Sequence, residues 1–160
     1  MKITRALQLT IAAAVLALAG AAYDTAAAKT PASPEDVAQD YLDAHPGGLR
    51  NENEVIYPDG SGFVAVDIGV MSVSQCASNQ FCMWSNDNYA GSFKYVTGSG
   101  VTKTLTGTTR SFWNNRTKAA RLYNNAGSSS TCYSAGTKKA TLAAAYQAPS
   151  KVYLSSGTSC

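Results

Sequence analysis

Cys76-Ala77-Ser78-Asn79-Gln80-Phe81-Cys82-Met83-Trp84-Ser85-Asn86-Asp87-Asn88-Tyr89-Ala90-Gly91 is the stretch on which the fold turns. Phe81–Trp84 is a short apolar and aromatic run suited to a strand. Four turn-prone residues separate Trp84 from Tyr89, so the chain can fold its hairpin over and stack the two rings. Gly91 then supplies a backbone geometry that a Cβ would obstruct. Trp84, Tyr89 and Gly91 therefore read as structural pins of a core, not as a ligand platform.

Downstream, Ser, Thr and Asn are abundant and β-branched or aromatic runs are short. The candidate strands are Phe81–Trp84, Ser92–Val96, Val101–Leu105, Ala120–Asn124, Thr131–Ser134, Thr141–Tyr146 and Val152–Leu154. Turn signals at Gly98-Ser99-Gly100, Asn124-Asn125-Ala126-Gly127 and Ala148-Pro149-Ser150 punctuate them. Short strands with frequent turns predict an antiparallel sandwich. All 4 cysteines fall in this part, and four cysteines allow three pairings. In one of them Cys76–Cys82 closes a small loop and Cys132–Cys160 ties the last strand back to the middle of the domain. Chain entropy assigns these bridges about 2 and about 3–4 kcal/mol, comparable to the net stability of a small domain.

Upstream, Lys2 and Arg5 precede an apolar run, Ile11–Ala22. That run is too short for a membrane span, which takes about 20 residues. Small-residue cleavage choices follow at Ala19-Gly20-Ala21 and Ala26-Ala27-Ala28, so residues 1–28 read as a secretory signal peptide. Export into an oxidising compartment would turn an even cysteine count into disulfides. Within 29–75, Ser33-Pro34-Glu35-Asp36 is a helix start, with Ser33 as N-cap and acids opposing the helix dipole. Val37, Ala38, Tyr41 and Leu42 share one face, and His45-Pro46-Gly47-Gly48 stops the helix. Val55–Tyr57, the turn Pro58-Asp59-Gly60 and the alternating Phe63–Ile68 predict a hairpin. One helix on one hairpin is too small for a robust core and needs something to lean on.

The formal net charge of +3 hides a division. Residues 29–75 carry Lys29 and Arg50 against eight carboxylates, a net −6, whereas residues 76–160 carry nine cations against Asp87 alone, a net +8. The acidic αββ segment is thus expected to dock on the basic domain as a propiece. This charge pattern also excludes chemistry. Glycosidases need two carboxyl groups, and serine or cysteine triads need a base, but the sole histidine, His45, sits in a helix stop. Zinc would have to draw on that histidine and cysteines expected in disulfides. No phosphate-loop, dinucleotide or zinc-protease motif is present. The basic residues are scattered rather than clustered, so no nucleic-acid partner is expected. Asn115-Arg116-Thr117 fits the glycosylation acceptor pattern and reads as a solvated turn.

The Cys76–Gly91 stretch, C-x5-C-x-W-x4-Y-x-G, resembles the Greek-key signature of βγ-crystallin domains. It is similar in particular to an actinobacterial family of secreted peptidase inhibitors that includes single-domain metalloproteinase inhibitors. Arg110-Ser111-Phe112-Trp113-Asn114-Asn115 with Ala120-Arg121-Leu122-Tyr123 resembles the family's next block, and Cys132-Tyr133 through Val152-Tyr153-Leu154 its tail. The resemblance implies a mainly β, βγ-crystallin-like Greek-key sandwich over 76–160. It also implies a secreted, non-enzymatic inhibitor of extracellular proteases, thermolysin-type metalloproteases foremost. The family's reactive bond follows its third cysteine, which places it here at Cys132-Tyr133, with Ser134 beside it. The family's partner cysteine just downstream is missing; the next is Cys160. The calcium motif of βγ-crystallins has its counterpart at Asn114-Asn115-Arg116-Thr117-Lys118-Ala119. There Lys118 and Ala119 replace hydroxyl ligands, so neither calcium nor another cofactor is expected. The alternative is a basic, killer-toxin-like module that binds anionic cell-envelope polymers.

Overall fold

The computed structural model describes residues 32–160; the expected signal peptide, 1–28, lies outside the described residues. Ser33 caps the helix α1 (Pro34–Ala44) through a reciprocal box, accepting from the Asp36 amide at 3.2 Å while its own amide donates to Asp36 Oδ2. Three short strands follow: β1 (Leu49–Asn51), β2 (Glu54–Ile56) and β3 (Gly62–Val64). Next come β4 (Phe81–Trp84), β5 (Phe93–Val96), β6 (Val101–Thr104), β7 (Ser111–Asn114) and β8 (Ala120–Tyr123). The last are β9 (Ser130–Tyr133), β10 (Lys138–Lys139) and β11 (Lys151–Leu154).

The strands make two antiparallel sheets, ordered β1-β2-β3-β5-β4-β7-β10 and β6-β11-β8-β9. Within β4–β7 the third strand, β6, lies in the opposite sheet and β7 returns beside β4. Within β8–β11 the third strand, β10, crosses the other way and β11 returns beside β8. Two Greek keys that exchange their third strands account for the sandwich. It is mainly β, as the sequence indicated, and it is closed by the disulfides Cys76–Cys82 and Cys132–Cys160.

Alternation along β4 shows why all four of its residues are buried. Phe81 and Met83 face the other sheet, packing with Val96, Phe112, Leu122, Val152 and Leu154. Cys82 and Trp84 face the opposite way, with Cys76, Phe93 and Tyr95. Successive side chains point to opposite faces of a strand, and here both faces are covered. A third cluster joins α1 to the first hairpin through Ala38, Val55, Phe63 and Ala65. That helix and hairpin do lean on something. β3 pairs with β5 in the register Gly62↔Tyr95 and Val64↔Phe93, extending the first sheet. Tyr95 Oη donates to Glu54 at 2.8 Å, and Lys103 pairs with Asp59 at 2.9 Å. Hydrogen bonds from Lys103 and Ser61 hold the Asp59 carboxyl down at about 2.

Gly62 marks the closest approach at this seam, because a Cβ there would run into the Tyr95 ring. Gly62→Ala is expected to cost about 1–3 kcal/mol, the usual penalty of forced overpacking. A urea midpoint indistinguishable from that of the parent chain would show that the ring gives way freely.

Three sequence expectations are corrected. Thr141–Tyr146 is not a strand: Ala144–Tyr146 forms a 3-10 turn. Its alanine run has little preference for a pleated sheet, and only Leu142 enters the core. The predicted strand Phe63–Ile68 stops at Val64: the Ala65 amide makes a last in-register bond to the Asn53 carbonyl, and the Val66 amide then turns to the Ser92 hydroxyl. Beyond it, Ile68 stands exposed on a turn closed by Val70 N–H to Asp67. Trp84 and Tyr89 also do not stack; they meet edge to face, 5.4 Å apart at 81°.

Candidate functional site

Cys132, Tyr133 and Ser134 lie at the end of β9, an outer strand of the four-stranded sheet. On its inner edge β9 pairs with β8, Cys132 opposite Arg121 and Tyr133 opposite Ala120. Its other edge has no strand beside it among the described residues. An edge strand presents peptide groups that another chain can pair with. Three restraints fix this one. The Cys132–Cys160 bridge ties it to the chain's last residue, and Arg121 donates to the Cys160 carbonyl at 2.6 Å. The buried Asn114 amide donates to the carbonyls of Tyr133 at 3.2 Å and Ser134 at 3.0 Å.

The Tyr133 ring turns inward and packs on Phe112, with centroids 4.6 Å apart. Burial pushes its phenol up from the ordinary value, so it stays neutral in ordinary buffers. Cys132 and Ser134 are exposed on either side of it. The segment therefore offers a restrained extended backbone, not a free aromatic side chain. The sequence places Asn114 in a family block and in the counterpart of a calcium motif, neither of which gives it a role at β9. A fully buried Asn on β7 is costly unless its polar atoms are satisfied; these carbonyl contacts satisfy its NH2 group, while its buried Oδ1 has no partner among the described residues.

The pins of the first motif gather elsewhere. Trp84 is fully buried and its Nε1 donates to Ser72 Oγ at 2.6 Å, while Ser72 Oγ donates to the Gly91 carbonyl at 2.8 Å. Gly91 has φ +76, in the left-handed region that glycine adopts without strain. A buried indole N–H needs an acceptor nearby, and Ser72, which no motif in the sequence marks, supplies it.

The residues aligned with a calcium motif are occupied differently. Arg116, counted in the sequence among scattered surface cations, is only 5% exposed. Its guanidinium donates to the carbonyls of Ala119 at 2.7 Å, Ser155 at 2.9 Å and Gly98 at 3.0 Å. A fixed cation already sits on oxygens that would otherwise favour a metal ion. Asn115, the acceptor of the glycosylation pattern, is half-buried and donates its amide to the Cys76 carbonyl at 2.9 Å.

Asp87, the one carboxylate of 76–160, lies 3.6 Å from Arg110. His45 bonds at 3.0 Å to the Tyr41 carbonyl at the end of α1 and stacks on the Tyr41 ring. Among the described residues neither side chain has a serine, threonine or cysteine as its polar partner. The arrangement is suited to contact rather than to proton transfer.

Residues 70–135 match peptidase inhibitor family I36. No curated protein and no solved structure matches the chain. The peptidase-inhibitor resemblance of the Cys76–Gly91 stretch is borne out by this match. It supports a non-enzymatic protease inhibitor whose partner is a protease. The I36 segment begins at Val70, inside the loop after β3, and ends at Ala135, just past the candidate inhibitory residues. It therefore spans β4 to β9, while Cys160 and β11 lie beyond it. No helix among the described residues is long and apolar enough to cross a membrane.

Proposed function

We propose that the chain is an exported inhibitor of extracellular metalloproteases of thermolysin type, acting through Cys132-Tyr133-Ser134. The observation that supports this site is its restraint on an outer edge. Proteases bind substrates as extended strands, and a segment already held extended needs little further ordering to bind. The disulfide to Cys160 and the amide of Asn114 hold both sides of the Cys132-Tyr133 bond. Were that bond cut, the β8 ladder and these contacts would keep the ends together and favour resynthesis over release. With Tyr133 packed on Phe112, recognition falls to the backbone of β9 and to the exposed groups at positions 132 and 134.

Titration of a thermolysin-type protease with residues 32–160 tests the function, and Ser134→Glu tests the site. Ser134 is exposed, so the variant is expected to keep its unfolding midpoint while weakening inhibition about tenfold or more. Full inhibition by Ser134→Glu would move the contact elsewhere on the molecule. Failure of the parent chain to inhibit would reject the metalloprotease assignment itself.

A further inference from the structure

We infer that the cavity between the β5–β6 loop and the β7–β8 loop is a binding site for a tetrahedral oxyanion, phosphate or sulfate, held between Arg116 and Lys118. The cavity has a volume of about 230 Å³ and is walled by Asn79, Thr97, Ser99, Arg116, Thr117 and Lys118. That wall contains two cations, three hydroxyls and an amide, and no carboxylate; the Thr97 hydroxyl already donates to the Gly60 carbonyl at 2.8 Å, so the free donors are those of the other residues. Arg and Lys are donors only, and hydroxyl and amide groups can also donate. An anion with several acceptor oxygens is therefore the ligand that this set can satisfy.

The two cations are not otherwise neutralised. Arg116 spends three of a guanidinium's five N–H groups on the Ala119, Ser155 and Gly98 carbonyls, leaving two without an acceptor among the described residues. Those carbonyls fix its plane, so it meets a ligand already positioned. Lys118 has one partner, Ser99 Oγ at 3.3 Å, and neither cation takes part in an ion pair among the described residues. Two like charges facing one cavity repel each other, and an anion between them removes that cost. Burial lowers the Arg116 affinity for its proton, yet a guanidinium remains charged throughout the ordinary pH range.

Such a site is independent of protease inhibition and lies on a different loop pair from Cys132. The test is a nuclear magnetic resonance titration of residues 32–160 with inorganic phosphate, with chloride exchanged to hold ionic strength constant. Saturable shifts confined to residues 79, 97–99 and 116–118 are expected. Lys118→Ala should weaken binding about tenfold or more, the range of one charge-assisted contact. Lys139→Ala, exposed and outside the cavity wall, should leave it unchanged. Poly(glycerol phosphate) run in parallel separates the sources. Tighter binding per phosphate than the free ion identifies a polymer phosphodiester, and binding of the free ion alone identifies the small anion. Shifts that do not saturate, or a Lys118→Ala affinity equal to that of the parent chain, would overturn the site.

Discussion

Trp84→Ala is expected to remove about 3–5 kcal/mol of stability, the usual cost of emptying a buried aromatic site. A domain is typically stable by only about 5–15 kcal/mol, so the variant should sit near its unfolding transition at physiological temperature. Two physical terms contribute. The indole packs against Phe93 at 5.0 Å and meets Tyr89 edge to face, so its loss opens a cavity on the outer face of β4. Its N–H also satisfies Ser72 Oγ, which in turn holds the Gly91 carbonyl of the following turn. Trp84→Phe separates the terms. It keeps the larger part of the aromatic packing and removes the donor, and should cost less than the alanine variant, about 1–3 kcal/mol, chiefly that of an unmade buried hydrogen bond. Urea unfolding followed by circular dichroism reads both. A loss below about 1 kcal/mol for Trp84→Ala would mean that this cluster is not a core.

The second large effect belongs to the Cys132–Cys160 bridge. Its sequence separation of 28 residues, against 6 for Cys76–Cys82, predicts a loss of about 3–4 kcal/mol for Cys132→Ala with Cys160→Ala. The shorter bridge should contribute about 2 kcal/mol. Beyond stability, the double variant frees the end of β9 from the chain terminus. If that strand enters a protease cleft, the variant should change from inhibitor to substrate. Its inhibition would decay with time as mass spectrometry detects cleavage of the peptide bond that precedes Tyr133. Removing Cys76–Cys82 instead should lower stability and leave inhibition lasting. Equal decay in both variants would show that the longer bridge has no particular role at the site.

Much of this architecture was legible where local chemistry and final environment agree. Ser33 with Asp36 announces the helix start, and the apolar run at Phe81–Trp84 becomes the central strand. What escaped includes β7, whose Phe112-Trp113 pair is flanked by polar residues, and elements that depend on contacts distant in sequence. β10 is two residues long and exists because Lys138 and Lys139 lie opposite Trp113 and Phe112. β1 is exposed along its whole length, so no hydrophobic alternation marks it. Arg116 looked like a surface cation because charged residues usually are. Only the meeting of the Gly98, Ala119 and Ser155 carbonyls gives its guanidinium a buried place. The Cys132-Tyr133 bond could be proposed from the resemblance alone, but its setting on an outer strand braced by Asn114 required the fold.

The most direct measurement is the residual activity of a thermolysin-type metalloprotease titrated with residues 32–160, alongside serine and cysteine proteases. The account predicts a saturating loss of metalloprotease activity at micromolar inhibitor or below. A folded, fully oxidised sample that leaves every protease in the panel active at that concentration would contradict it.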